Sequence, residues 1–137
     1  MQLKKILFAD DDAEDQFMIL DAMELLDAGD VMWFVDNGEN ALNLLEEKFS
    51  ESSIPCLIVL DLNMPKMNGT ETLDRLKKDR RFEDIPVIIY STSINPLEKE
   101  RCLLLGAHSY ITKPISFKEC METAKIFLQF CHSKTTA

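Results

Sequence analysis

The sequence predicts an α/β fold: a doubly wound, five-stranded parallel sheet, strand order 2-1-3-4-5, flanked by five helices. Three observations predict it. Five short apolar runs alternate with five longer amphipathic segments over 137 residues, the pattern of repeated β–α units. Two runs, Leu57–Leu60 and residues 87–89, are apolar throughout, as strands covered on both faces are. Acidic residues directly follow the first and third runs, where an open parallel sheet forms its ligand crevice. The length suits one domain over residues 1–137, with a core at about 4–131 and a short polar tail at 132–137.

The first strand reads over residues 5–9 and the first helix over 14–28, closed by Gly29. Glycine ends a helix in the left-handed conformation at least cost. A second strand follows at 31–35, and a second helix at 39–48 puts Ala41, Leu42 and Leu45 on one face. The third strand covers 56–60 and the third helix 70–79. Strand 87–90 leads to helix 97–105, which offers Asn95 as cap, Pro96 at the first helical position and Glu98 for a capping box. Gly106 ends that helix, and strand 109–112 completes the sheet. The last helix, 117–131, opens on a second capping box, Ser116 and Glu119. Phe117, Cys120, Met121, Ala124, Phe127, Leu128 and Cys131 form its core stripe. Ile126 and Phe130 lie nearly opposite at ~100° per residue, so they are expected off the core stripe, either as chance surface residues or covered by a neighbouring loop, or as a contact for a partner or second copy. The run Cys102-Leu103-Leu104-Leu105 should also leave a side chain outside the core.

Composition narrows the functional classes. A content of 46% hydrophobic and 28% charged residues is that of a soluble globular protein. A net charge of −9 argues against nucleic acid, which needs clustered Lys and Arg. The densest basic run, Lys77-Lys78-Asp79-Arg80-Arg81, reads as a solvated helix end. No apolar run is long enough for a bilayer, and the N-terminal apolar stretch meets Asp10 without a signal peptide's length or cleavage site. No membrane partner and a cytoplasmic location are therefore expected. Cys56, Cys102, Cys120 and Cys131 form no C-x-x-C pair or zinc spacing and read as small buried hydrophobes.

The chemistry collects at strand ends. Asp10 and Asp11, with Asp12 next, follow the first strand, and Asp61 follows the third. In the order 2-1-3-4-5 those strands are neighbours, so the carboxylates converge where strand order reverses. Like charges so close repel unless a cation joins them, and hard oxygen donors suit Mg²⁺. A metal there shields a nucleophilic carboxylate from a phosphoryl donor's charge. Ser91 ends the fourth strand and Lys113 the fifth, before Pro114. A lysine on this rim can pair with phosphate, and a serine hydroxyl can hydrogen-bond it.

Three separated motifs then resemble one family. Ile6-Leu7-Phe8-Ala9-Asp10-Asp11-Asp12 is similar to the acidic opening of response-regulator receiver domains of two-component signalling. Leu60-Asp61-Leu62-Asn63-Met64-Pro65 with Met67-Asn68-Gly69 resembles their phosphoacceptor segment. Residues 106–114, ending in Thr112-Lys113-Pro114, resemble their closing motif. The resemblance implies the flavodoxin-like, CheY-like fold and a phosphorylation switch. It makes Asp61 the phosphoacceptor, Asp11 and Asp61 direct Mg²⁺ ligands with the Asn63 carbonyl, and Asp10 a helper through water. Lys113 pairs with the acceptor or its phosphate, and the Lys113–Pro114 peptide is expected cis. Ser91 and Tyr110 correspond to the switch pair, Asn63 and Ser93 to positions that tune phosphate lifetime. Ala9 stands where valine is usual, and Ser91 where threonine is more frequent.

The resemblance also implies partners: a sensor histidine kinase or histidine phosphotransfer protein as phosphate source, and a downstream protein. The tail is too short for an output domain, so a stand-alone receiver is expected, with a possible homodimer through the face of the fourth helix, fifth strand and fifth helix. Such a switch modifies itself and turns over no separate substrate. His108 and His132 lie outside the helical setting of a phosphoryl-carrying histidine. The alternatives are a degenerate receiver acting without phosphate, an aspartyl phosphohydrolase and a flavodoxin-like cofactor module. The hydrolase needs a second aspartate where Asn63 stands, and Asp10-Asp11-Asp12 would repel a flavin phosphate.

Overall fold

The computed structural model describes residues 4–132, so most of the expected tail, 133–137, lies outside the described residues. The elements run β1 (Ile6–Ala9), α1 (Ala13–Leu25), a 3₁₀ turn (Gly29–Val31), β2 (Met32–Val35), α2 (Gly38–Ser50), β3 (Leu57–Leu60), α3 (Gly69–Lys77), β4 (Val87–Ser91), α4 (Pro96–Leu104), β5 (Ser109–Thr112) and α5 (Phe117–His132). All strand pairings are parallel, and the order is β2-β1-β3-β4-β5, as predicted. None of the helices described is long and apolar enough to cross a membrane.

Alternation along the strands sorts the core into two layers. Leu7, Ala9, Ile58, Leu60, Val87 and Ile89 meet Ala41, Leu45, Leu73, Leu76 and Cys102, which belong to α2, α3 and α4. Ile6, Phe8, Leu57, Val59, Ile88 and Tyr90 meet Ile19, Met23, Cys120, Ala124 and Phe127 of α1 and α5.

Local chemistry sets the ends. Asp12 caps α1 by accepting the Glu14 N–H at 2.9 Å, and Asn37, a cap absent from the sequence reading, accepts the Asn40 N–H at 2.8 Å for α2. Asn95 caps α4 with Pro96 in the first turn. Glu98, however, takes the Ser93 hydroxyl rather than its capping-box partner. Glu119 reaches back one residue further than expected, to the Ile115 N–H at 3.0 Å. Gly106 has φ 112 and ends α4 as predicted. Gly29 does not end α1: Asp27 takes the left-handed conformation at φ 59, and Gly29 starts the 3₁₀ turn. An aspartate tolerates that conformation because its short polar side chain can hydrogen-bond locally.

Further expectations are corrected or decided. Cys56, just before β3, and Cys131, in the last turn of α5, form a disulfide with Cα atoms 5.4 Å apart; only Cys102 and Cys120 are free and buried. Their 75-residue separation in sequence hides a contact made by packing α5 on the sheet. The Lys113–Pro114 peptide is trans. Phe130 is half-buried, its ring edge-on to His108 with centroids 4.9 Å apart. The turn before β5 reaches the last turn of α5, so the helix is covered over a wider arc there than its central stripe suggests. Ile126 is 41% exposed, and so, at 40%, is Phe117, which was expected in the core.

Candidate functional site

The C-terminal strand edges deliver the site. β1 leads into Asp10 and Asp11, β3 into Asp61 and β5 into Lys113. Continuing the strand alternation, Asp10, Asp61 and Lys113 fall on the side of Phe8, Val59 and Ile111, toward α1 and α5. Ser91 has the opposite parity, that of Val87 and Ile89. Gly69 lets the loop after β3 fold back tightly, because a Cβ there would lie 2.2 Å from the Asp61 carbonyl oxygen.

Lys113 lies at the centre, with only 8% of its side chain exposed. Its Nζ is 2.7 Å from Asp15 Oδ2, 2.9 Å from Asp10 Oδ2 and 3.1 Å from Asp61 Oδ2. The contacts to Asp15 and Asp61 are hydrogen bonds that Lys113 donates. Asp10 Oδ1 accepts the Asp12 N–H at 2.9 Å, whereas the buried Asp10 Oδ2 accepts no hydrogen bond. Its contact with the ammonium is thus ionic without good alignment. Burial pushes the Asp10 carboxyl up to about 6; the Asp12 N–H and Lys113 pull it down, and the Asp61 charge adds to the rise. Burial alone would lower Lys113, but its close contacts with Asp15 and Asp10 and the charges of Asp10 and Asp61 outweigh it, holding the ammonium above its ordinary range.

Asp10, Asp11 and Asp61 each offer a carboxylate oxygen within 4.8 Å of the others, the one such cluster among the described residues. Asp11 is exposed, while Asp10 and Asp61 are buried. Hard oxygens of this kind, one of them lacking a hydrogen-bond donor, fit a small divalent cation that keeps some of its waters. Asn63 is exposed, and its N–H points to Asp61 Oδ1 at 3.4 Å.

The other expected residues form a second group. Ser91 is fully buried and its hydroxyl accepts the Ser93 N–H at 3.1 Å. The Tyr110 hydroxyl donates to the Ser93 carbonyl at 2.9 Å, and its ring packs on the α2–α3–α4 side of the core. Ser93 thus ties Ser91 to Tyr110 through its backbone. Ile126 and Phe130 are remote from the carboxylates in sequence and lie on α5.

Sequence reasoning missed Asp15 and Gln16. Asp15 in the first turn of α1 reads as ordinary complement to the helix dipole, yet it makes the shortest contact to Lys113. Gln16 Nε2 donates to the Asp10 carbonyl at 2.7 Å and the Val35 carbonyl at 3.3 Å, clasping the ends of β1 and β2. The available signal was position: a helix N-terminus following the acidic strand end must start above the crevice.

Known proteins resemble this chain in sequence and fold. The response regulator receiver domain family matches residues 6–125. The probable methanogenesis regulatory protein FilR2 of Methanothrix harundinacea is 32% identical over 122 residues, covering 88% of this chain and 78% of that protein. The transcriptional regulatory protein CpxR of Escherichia coli is 32% identical over 95% of this chain, which spans only 51% of CpxR. Among solved structures, the phosphorylated cyanobacterial phytochrome response regulator RcpA superposes with a TM-score of 0.86 at 31% identity, covering 98% of both chains. The Mn²⁺-bound form of response regulator Rcp1 gives 0.79 at 27% identity, covering 98% of this chain and 99% of that one. With the sheet order, the acidic rim and a family match over nearly the whole sheet and its helices, the chain belongs to the response regulator receiver domains.

Proposed function

We propose that this receiver is switched by transfer of a phosphoryl group to Asp61 in a Mg²⁺-dependent reaction. The observation that carries the reading is the Lys113 ammonium, 3.1 Å from Asp61 Oδ2 within a rim where Asp10, Asp11 and Asp61 converge. Asp10, Asp11 and Asp61 would hold the ion, joined by the Asn63 carbonyl. When bound, Mg²⁺ supplies the positive charge that lets an anionic donor approach these carboxylates.

The chain's own groups do the rest. An Asp61 carboxylate oxygen attacks phosphorus as the P–N bond of a phosphohistidine breaks, and the leaving imidazole takes up a proton. Lys113 compensates charge on the phosphoryl oxygens. Receiver domains work with histidine kinases or phosphotransfer proteins, and such a partner is the proposed donor here. Ser91 and Tyr110 report the change through the Ser93 backbone, and Asn63 and Ser93 tune the lifetime of the phosphate. The output goes to another protein, or to a second copy, at the α4–β5–α5 face, where Leu104 and Ile126 are exposed. The protein modifies only itself and works in the cytoplasm.

The test is incubation with Mg²⁺ and acetyl phosphate, followed by intact mass. A gain of one phosphoryl group is expected, lost in Asp61→Asn and suppressed by chelator. No gain at any donor concentration, with beryllofluoride also failing to bind, would reject the reading.

A further inference from the structure

Lys113 serves three carboxylates, and the nearest is not the proposed acceptor. An ammonium has three donors, and here it faces three anions, donating to Asp15 at 2.7 Å and Asp61 at 3.1 Å with Asp10 in ionic contact at 2.9 Å. The side chain is nearly buried, so water does little to screen these pairs. Asp15 differs from the other two. It comes from α1 rather than from a strand end, it is partly solvated with 30% of its side chain exposed, and it stands outside the cluster suited to a metal. Asp12 Oδ1 accepts the Asp15 N–H at 3.4 Å, which helps set the start of the helix carrying it.

We propose that Asp15 is a positioning residue that holds part of the Lys113 charge away from Asp61, and so sets how strongly the site holds a phosphoryl group. This rests on reading Asp61 as the acceptor. A phosphoryl group on Asp61 brings new negative oxygens within reach of Lys113, and Asp15 competes with them for the same ammonium. Neutralising Asp15 removes the competitor while leaving Lys113 in its buried slot. Asp10 cannot be the adjustable partner in the same way, since it is fully buried beside the cation site.

Beryllofluoride with Mg²⁺ is the probe, because it mimics the phosphoryl group reversibly. The variant Asp15→Asn is expected to bind it about five- to tenfold more tightly than wild type, the size of coupling usual between groups in contact. Asp15→Glu should return affinity toward wild type, and Asp15→Ser, shorter and neutral, should repeat the asparagine result. In a Lys113→Gln background, Asp15→Asn should have no effect, which a purely structural role for Asp15 would not produce. Unchanged or weaker binding in both Asp15→Asn and Asp15→Ser, with wild type binding normally, overturns the proposal. A wild type that takes no beryllofluoride removes the acceptor reading, and the proposal with it.

Discussion

Asp10 shows how a single side chain carries an opposing demand. Its carboxyl is fully buried and raised to about 6 from 3.8. A raised carboxyl favours the folded state when protonated, so its contribution is most favourable below about pH 4 and is lost as pH rises through 6. By the linkage relation this amounts to about 3 kcal/mol of destabilisation at pH 7. In chelator, Asp10→Asn is therefore expected to be more stable than wild type at pH 7, by up to about 3 kcal/mol. The gap should close near pH 4, as urea unfolding across that range would show. Equal pH profiles for the two proteins would refute this account. Asp10, Asp61 and Lys113 were legible in the sequence because strand ends in a known sheet order are fixed in space. Asp15 was not, since its meaning depends on how far a lysine from the opposite edge of the crevice reaches. For Phe130 the choice between loop cover and an open surface was not legible, because a helical wheel gives an angle but not what stands beside it.

At the scale of elements, short apolar runs bounded by polar turns were easy to read, and β5 begins and ends at the residues expected. Ends governed by side-chain capping were harder, as Asp27 displacing Gly29 shows. The basic run at the end of α3 stays largely exposed, as expected, but Lys77 and Arg81 also bind elsewhere in the fold. Lys77 Nζ donates to the Glu83 and Ile85 carbonyls at 2.9 Å. Arg81 forks onto both Glu46 oxygens at 2.6 Å and lies over Phe82. The least legible link is the tie between Cys56 and Cys131, which fastens the end of α5 to the start of β3. Closing a loop with a sequence separation of 75 restricts the unfolded chain, by about 4 kcal/mol in the entropic model. Reductant, or Cys56→Ser with Cys131→Ser, should therefore lower the unfolding midpoint clearly. Alkylation of the denatured, unreduced protein should label only Cys102 and Cys120. Four labels would show the pair to be reduced in solution.

For the whole molecule, the proposed output face is tested by the apolar side chains it exposes. Leu104 is 82% exposed and Ile126 41%, whereas Phe130 packs against the core and His108. Ile126→Lys should weaken self-association or target binding while leaving phosphorylation of Asp61 and thermal stability near wild type. Sedimentation and pull-down of the phosphorylated protein check this, and unchanged association would argue against that face. Phe130→Lys should instead lower stability, since it puts a charge against packed rings. The alternation that sends Asp10, Asp61 and Lys113 toward α1 and α5, and Ser91 and Tyr110 toward α2, α3 and α4, has a wider consequence. The sheet stands as a dividing wall, with the carboxylates and Lys113 on one side and Ser91 and Tyr110 on the other. A change in packing under α1 or α5 therefore meets the carboxylates first, and one under α2, α3 or α4 meets Ser91 and Tyr110 first.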